Sequence, residues 1–350
     1  MKSIFKPFLA VLVGLAMGLA VTAAAGESPL HVLLVLIKSA FGSPYDIGMT
    51  LFYTTPLILT GLSVSIAFHA GLFNIGAEGQ LTLGALAAAT VGACFPHLSQ
   101  PWAPLLGAAA AFFAGAAWGW IPGWLRVSRG GHEVINTIML NFIAVAFASW
   151  FTLDVLKNPE SQNPETLPVG QGYLLSHPAW LGDSPVSVAL PMALLVAVGT
   201  YYFLSRSVLG FELRSVGQSE SAARTAGVNS GKMRILAMTL AGGVAGLVGV
   251  GEVLGNAGRF RPGFSADFGF TGIAVALLGR NRPGGIVAAA LLFGALHKGT
   301  ADLDMETEHV TRDLSLVLQA LIVISVSAEA LWSGKLIGRF SKKLSKKEKA

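Results

Sequence analysis

Cysteine is all but missing from this chain: Cys94 stands alone in 350 residues, which excludes any disulfide within it. Charge is scarce as well, at 12% of residues, against roughly 25% in ordinary soluble domains. With 53% hydrophobic residues, too few polar side chains remain to cover a soluble globule, so the composition points to a polytopic membrane protein. The seven histidines show no metal-binding spacing. Gly-x-Ser-x-Gly, His-Glu-x-x-His and Gly-x-x-x-x-Gly-Lys-Ser/Thr are all missing, which leaves no hydrolytic constellation and no ATP site of the common kind. Any ATP the chain depends on must be bound by a separate subunit.

What the chain has in abundance is apolar length. Runs fit to cross about 30 Å of hydrocarbon fall at 8–25, 48–68, 81–95, 103–121, 134–156, 186–204, 235–254, 272–278, 286–296 and 314–331. The runs at 272–278 and 286–296 are short enough to form one re-entrant hairpin. The expected fold is all-α, a polytopic transmembrane bundle of about ten spans, some of them broken or re-entrant, in one domain over 1–350. Segment 31–41 is too short to span and reads as an interfacial helix. The 42 glycines suit helices that pack through small residues. Lys2 and Lys6 ahead of the first run, with Ala23-Ala24-Ala25 at its end, also allow a cleavable signal peptide; the many further spans favour a retained helix.

Basic residues set the expected orientation. Lys2, Lys6, Arg126, Arg129, the loop 205–234, Arg280, Arg282 and the basic tail 335–350 all face the cytoplasm when ten spans are counted, with both termini inside. Loop 157–185, with Glu160, Glu165, Asp183 and one lysine, is then extracytoplasmic. The tail lysines supply much of the +5 net charge. They read better as a cytoplasmic flank than as a nucleic-acid patch.

Against this apolar background a few polar residues stand out. Asn74, Glu78 and Gln80 lie among Gly71, Gly76 and Gly79 between two long apolar runs, where an unpaired charge costs about 2.5 kcal/mol or more. Glycines there permit a helix break, whose freed backbone groups must line protein or a water-filled path. Two readings stay open: a solute pathway, and hydrogen-bonded glue between spans. Glu133, Thr137 and Asn141 project from one helix face at i, i+4 and i+8, with Asn136 beside them, and that face must look into the bundle. Glu133 can simply pair with Arg126 or Arg129. Loop 205–234 predicts a polar helix over Glu220 to Ala226 stopped by Gly227, a docking surface for a soluble partner or a plain charged linker. Segment 255–270, with Arg259, Arg261, Phe260 and Phe264, offers belt aromatics or a stacking place for a ring-containing solute.

Four ordered stretches carry a resemblance over about 54–296. They are Phe73-Asn74-Ile75-Gly76-Ala77-Glu78-Gly79-Gln80, Glu133-Val134-Ile135-Asn136-Thr137-Ile138-Met139-Leu140-Asn141, Ala222-Ala223-Arg224-Thr225-Ala226-Gly227-Val228, and Gly272-Ile273-Ala274-Val275-Ala276-Leu277-Leu278-Gly279-Arg280-Asn281. Together they resemble bacterial ABC-importer permeases, nearest the nucleoside permeases within the ribose-type and branched-chain amino-acid group. The resemblance implies a type II-like importer permease in the inner membrane, with a substrate pathway past Phe73, Asn74, Glu78, Gln80, Asn136, Thr137 and Asn141. It implies a second homologous permease forming a heterodimer, two cytoplasmic ATPase subunits that bind ATP and Mg, and an extracytoplasmic solute-binding protein. No cofactor is then held by this chain, and it is not itself an enzyme. The implied coupling helix lies within 216–229, carried by Glu220, Ala222, Ala223 and Gly227, although Ser221 stands where the general pattern has Glu. Import of a simple sugar or branched-chain amino acid by the same machinery is the alternative, and an ion-coupled carrier using Glu78 is another.

Overall fold

A computed structural model describes residues 2–332; the basic tail 335–350 lies outside them. No strand occurs among the described residues, only an isolated bridge between Lys157 and Thr166. In chain order the helices are α1 (Lys2–Ala24), α2 (Pro29–Phe41), α3 (Pro44–His69), α4 (Ala77–Cys94) and α5 (Trp102–Arg129). Next come α6 (Glu133–Trp150), α7 (Ala189–Arg206), α8 (Val208–Gln218), α9 (Glu220–Thr225) and α10 (Ser230–Gly246). The described residues finish with α11 (Phe268–Leu278), α12 (Pro283–Gly299), α13 (Leu303–Glu306) and α14 (Leu314–Trp332). Each of the ten apolar runs falls in a helix, so the chain is an all-helical, multi-pass membrane protein. Six helices are long and apolar enough to cross a membrane, and four shorter ones are apolar, among the described residues.

Two compact units divide the described chain: 2–43 with 295–332, and 44–294. In the first, α1 packs on α14 so closely that a Cβ on Gly14 would stand 2.6 Å from Ile322 Cα. Segment 31–41, expected to be interfacial, forms most of α2, which Pro29 opens in the first turn, where its missing N–H costs nothing. Glu27 Oε1 accepts the N–H groups of Glu308 (2.8 Å) and His309 (3.1 Å).

In the second unit α3 is buried along most of its length, as a helix without a polar face must be. Pro56 removes one internal hydrogen bond, and Thr60 Oγ1 donates to the Pro56 carbonyl at 2.9 Å. Around α3 stand α7, α10 and α11. Helices α5 and α10 touch backbone to backbone, because a Cβ on Gly115 would strike the Gly242 carbonyl and one on Gly246 the Ala111 carbonyl. Two spans end in π-helical turns, Phe151–Val155 after α6 and Val250–Ala257 beyond α10. Ser65 Oγ donates to the Asn281 carbonyl at 2.9 Å, and Gly217 packs on His69, which gathers the ends of α3, α8 and α11 at one basic end.

Loop 205–234 differs from the single polar helix expected over part of it. It forms two helices, α8 and α9, because Ser219 leaves helical geometry (φ −159, ψ 108) and its hydroxyl caps α9 at Ala222 N. Gly227 ends α9 at φ +85, with its N–H and that of Val228 returning to Arg224 and Ala223. That is the stop the sequence predicts.

Candidate functional site

The polar stretch after α3 folds back into the bundle before α4 begins. Gly71, at φ +72, turns against Gly217, and the chain then carries Asn74 inward. Asn74 is fully buried, and both ends of its amide are engaged. Its Nδ2 donates to Gln80 Oε1 (2.8 Å) and Ser63 Oγ (3.1 Å); its Oδ1 accepts Gly76 N–H and Gln80 Nε2, each at 3.1 Å. Asn141 supports the same break from α6: its Nδ2 donates to the Ile75 carbonyl (2.9 Å) and its Oδ1 accepts Gly79 N–H (2.8 Å). The backbone groups that a broken helix frees are therefore met by side chains rather than left to water.

Thr137 is buried, but its hydroxyl returns to the carbonyls of Glu133 (2.8 Å) and Val134 (3.0 Å) in its own helix, and its Cβ side packs against Gly76. Asn136 is half-buried beside Gly131, with a buried Nδ2 that lacks a partner. Glu133 pairs with Arg126 at 3.3 Å. Phe73 is half-buried.

Glu78 has a different setting. The eleven residues of α11 rise about 16 Å, half of a bilayer core, so α11 begins at depth. There Gly269 N–H donates to Glu78 Oε2 at 2.8 Å. The carboxylate of one helix thus faces the positive end of another. A Cβ on Gly269 would strike the Glu78 backbone, so glycine is required for this approach. A cleft of about 60 Å³ opens beside Glu78, lined by Thr82, Val145, Ser149, Phe264 and Ser265. The glycine-rich stretch that opens α4 and the glycine-bearing start of α11 meet here.

A strap over 258–264 closes the end of the bundle that carries loop 157–185. Phe260 N–H donates to Thr166 Oγ1 and its carbonyl accepts Thr166 N–H, both at 3.0 Å. Glu165, buried, accepts Arg259 Nη1 (2.6 Å) and Arg261 Nε (2.9 Å). Burial pushes the Glu165 carboxyl up, but hydrogen bonds from Arg261, Ser161 and Arg259, with the Arg259 charge, outweigh it and bring it down to about 2. The segment of Arg259 and Phe260 was read in the sequence as belt aromatics or a stacking place for a solute; the pairing with Glu165, 94 positions away, was not visible there. Ser63 and Gly269 were likewise missed, although Ser63 is a polar residue inside an apolar run and so carried a signal.

In loop 205–234, Glu220 accepts Arg224 Nη2 and Arg234 Nη2, each at 2.7 Å, and Ser230 Oγ at 3.2 Å. Burial pushes its carboxyl up, and the Arg234 charge and hydrogen bond, with Ser230 and Arg224, hold it below the usual range. Ala223 is buried against Val216 and Met233, whereas Ala222, Thr225 and Gly227 are exposed.

Residues 47–327 match the family described as branched-chain amino acid transport system / permease component. Along nearly its whole length the chain is similar to the guanosine ABC transporter permease protein NupP of Bacillus subtilis, 35% identical over 95% of each chain. It is 34% identical to the glucose ABC transporter permease protein TsgB13 of Haloferax volcanii, over 91% of this chain and 85% of that one. It is 33% identical to the nucleoside ABC transporter permease protein NupB of Lactococcus lactis, over 94% of this chain and 92% of that one. No solved structure matches.

Proposed function

Because the chain belongs to the ABC transporter permease family described as branched-chain amino acid transport system / permease component, we propose that it passes nucleosides inward across a bacterial inner membrane. ATP and Mg are bound and ATP is hydrolysed on separate cytoplasmic subunits, a binding protein delivers the solute from outside, and a second, homologous permease completes a heterodimer. Both termini face the cytoplasm. The observation that carries the reading is the likeness, along almost the whole chain, to permeases named for guanosine and for nucleosides.

Within that reading the polar residues divide into two groups. Asn74, Gln80, Thr137 and Asn141 are struts: their hydrogen bonds are spent on the break and on their own helices. Glu78, together with Ser265 and Phe264, faces the cleft and contacts the passing solute. Phe73 and Asn136 flank the inner end of the same path. The coupling surface is the exposed side of α9, at Ala222 and Gly227. Ala223 anchors α9 to α8 and α10, and Glu220 positions it through Arg224 and Arg234 rather than reaching the ATPase itself.

A second reading, sugar import, is favoured by the similarity to a glucose permease. Solute-stimulated ATP hydrolysis by the complete reconstituted complex separates the two. Nucleosides are expected to stimulate and glucose is not. Stimulation by glucose alone would replace the first reading with the second.

A further inference from the structure

One carboxyl group has no part in the pathway above. Glu252 lies in the π-helical segment Val250–Ala257, is 8% exposed, and has one buried oxygen, Oε1, without any hydrogen-bond partner. Asn256, one turn on, hydrogen-bonds the carboxyl. A half-satisfied carboxyl at this depth costs several kcal/mol, and intramembrane carboxyls that persist usually serve function. The π-helical turn strengthens the case, since such turns cluster at functional sites. Glu252 lines a cavity of about 340 Å³ under the strap, on the other side of Phe260 and Phe264 from the Glu78 cleft. That volume is within the range of small-molecule sites. Arg259 lines the same cavity. Its Nη1 is held by Glu165, but its Nε is buried and has no partner either. Two residues that line the cavity thus each keep one buried polar atom without a partner, an acceptor on Glu252 and a donor on Arg259. Phe260 and Phe264, edge to face at 5.7 Å and 72°, complete its wall; Phe260 is buried, and Phe264 is the half-exposed ring.

We propose that this cavity recognises the base of the solute. Glu252 takes N–H donors from the heterocycle edge, Asn256 holds the carboxyl in place, Arg259 Nε donates to a neighbouring carbonyl or ring nitrogen, and Phe264 covers a ring face. The assignment rests on the nucleoside reading. A sugar would satisfy the donor and acceptor but give Phe264 no ring to cover. A site built on buried polar groups discriminates by leaving them unpaired when the wrong solute enters.

The test uses the complete complex in liposomes, with guanosine and with inosine, which lacks the exocyclic amino group. Glu252→Gln keeps the shape but turns one acceptor into a donor. It is expected to raise the guanosine KM about tenfold or more, a loss typical of one buried hydrogen-bonding group left unmet, and to change the guanosine-to-inosine preference by a similar factor. Phe264→Ala is expected to raise both KM values about tenfold. Co-purification of the complex checks assembly. A labelling measurement does not depend on these variants: Ala257→Cys, on the cavity wall, in a Cys94→Ala background that leaves this chain no other thiol, with label read on this chain alone. Saturating nucleoside is expected to slow its reaction with a maleimide several-fold, and glucose is not. Unchanged KM and preference in both assembled variants, or labelling indifferent to nucleoside, overturns the inference. A wild-type complex that no nucleoside stimulates overturns the transport reading and this assignment with it.

Discussion

Replacing Asn74 and Gln80 by leucine, singly and together, measures what holds the break before α4 in shape. The two amides face each other through a pair of hydrogen bonds, 2.8 and 3.1 Å long, in a fully buried setting. Asn74→Leu leaves both ends of the Gln80 amide, the Ser63 hydroxyl and the Gly76 N–H without their partner. Each unmet buried group costs about 1–3 kcal/mol, and relaxation recovers part of it, so a loss of about 2–5 kcal/mol is expected. Gln80→Leu leaves Asn74 its bonds to Ser63 and Gly76 and costs about 1–3 kcal/mol. The double variant removes both amides at once, so nothing polar remains facing leucine across the pair. Its cost is expected to fall short of the sum by about 1.5 kcal/mol or more. Denaturant unfolding of the purified protein in detergent micelles, followed by helical circular dichroism, supplies the cycle. Additivity within about 0.5 kcal/mol would show that the amides do not act through each other, and the strut assignment would fail.

Three further outcomes follow from the same geometry. Gly269→Val is expected to abolish uptake while the ATPase still co-purifies, because the added carbons collide with the Glu78 backbone and part α4 from α11; uptake near the wild-type rate would remove the contact from the mechanism. The Glu165 clamp has a folded pKa of about 2, below the ordinary 4.5. Its stabilisation is therefore complete above 4.5 and lost as pH falls through about 2. Exchange of the Thr166 and Val169 amides, which bond to Phe260 and Gly258, is expected to quicken only over that window after correction for intrinsic rates; quickening already near neutrality would refute it. Gly246→Ala is expected to lower the melting temperature through its collision with Ala111, whereas Gly199→Ala, in open space on α7, gains helix propensity of about 1 kcal/mol; equal shifts in both would contradict the seam.

Apolar length was enough to find the helices, because a span must satisfy its backbone internally and so announces itself by about twenty uninterrupted apolar positions. The break at 71–76 was also readable, since glycine beside amides at depth has few uses. Which amide serves which end was not. Asn74 meets Ser63 and Gln80 nearby, but Asn141 and Gly269 reach this place across 62 and 191 positions, and no local pattern records such pairings. The run at 235–254 contains Glu252, a lone carboxyl among apolar residues; its length as a span hid the one residue that breaks the rule. The split between α8 and α9 escaped notice because it depends on Ser219 acting as a cap, which a run of good helix formers on either side conceals. Trp118 donates to the Leu140 carbonyl at 3.3 Å, a use that only the neighbouring helix reveals.

The glycine seam has a bearing on how this bundle can move. Where Gly115 and Gly119 of α5 lie against Gly242 and Gly246 of α10, no side chain stands between the two backbones to act as a bearing. Sliding one helix along the other would drive carbonyl oxygens over α-carbons at every step, so the pair travels as a single beam. Bending is then left to the irregular stretches beside the beam, which side chains and a few backbone hydrogen bonds tie: the amide-laced turn at 70–76 and the strap at 258–264. In the proposed transport cycle, the stroke that opens the path would be taken up at those two joints, whose stiffness would set how far the beam swings.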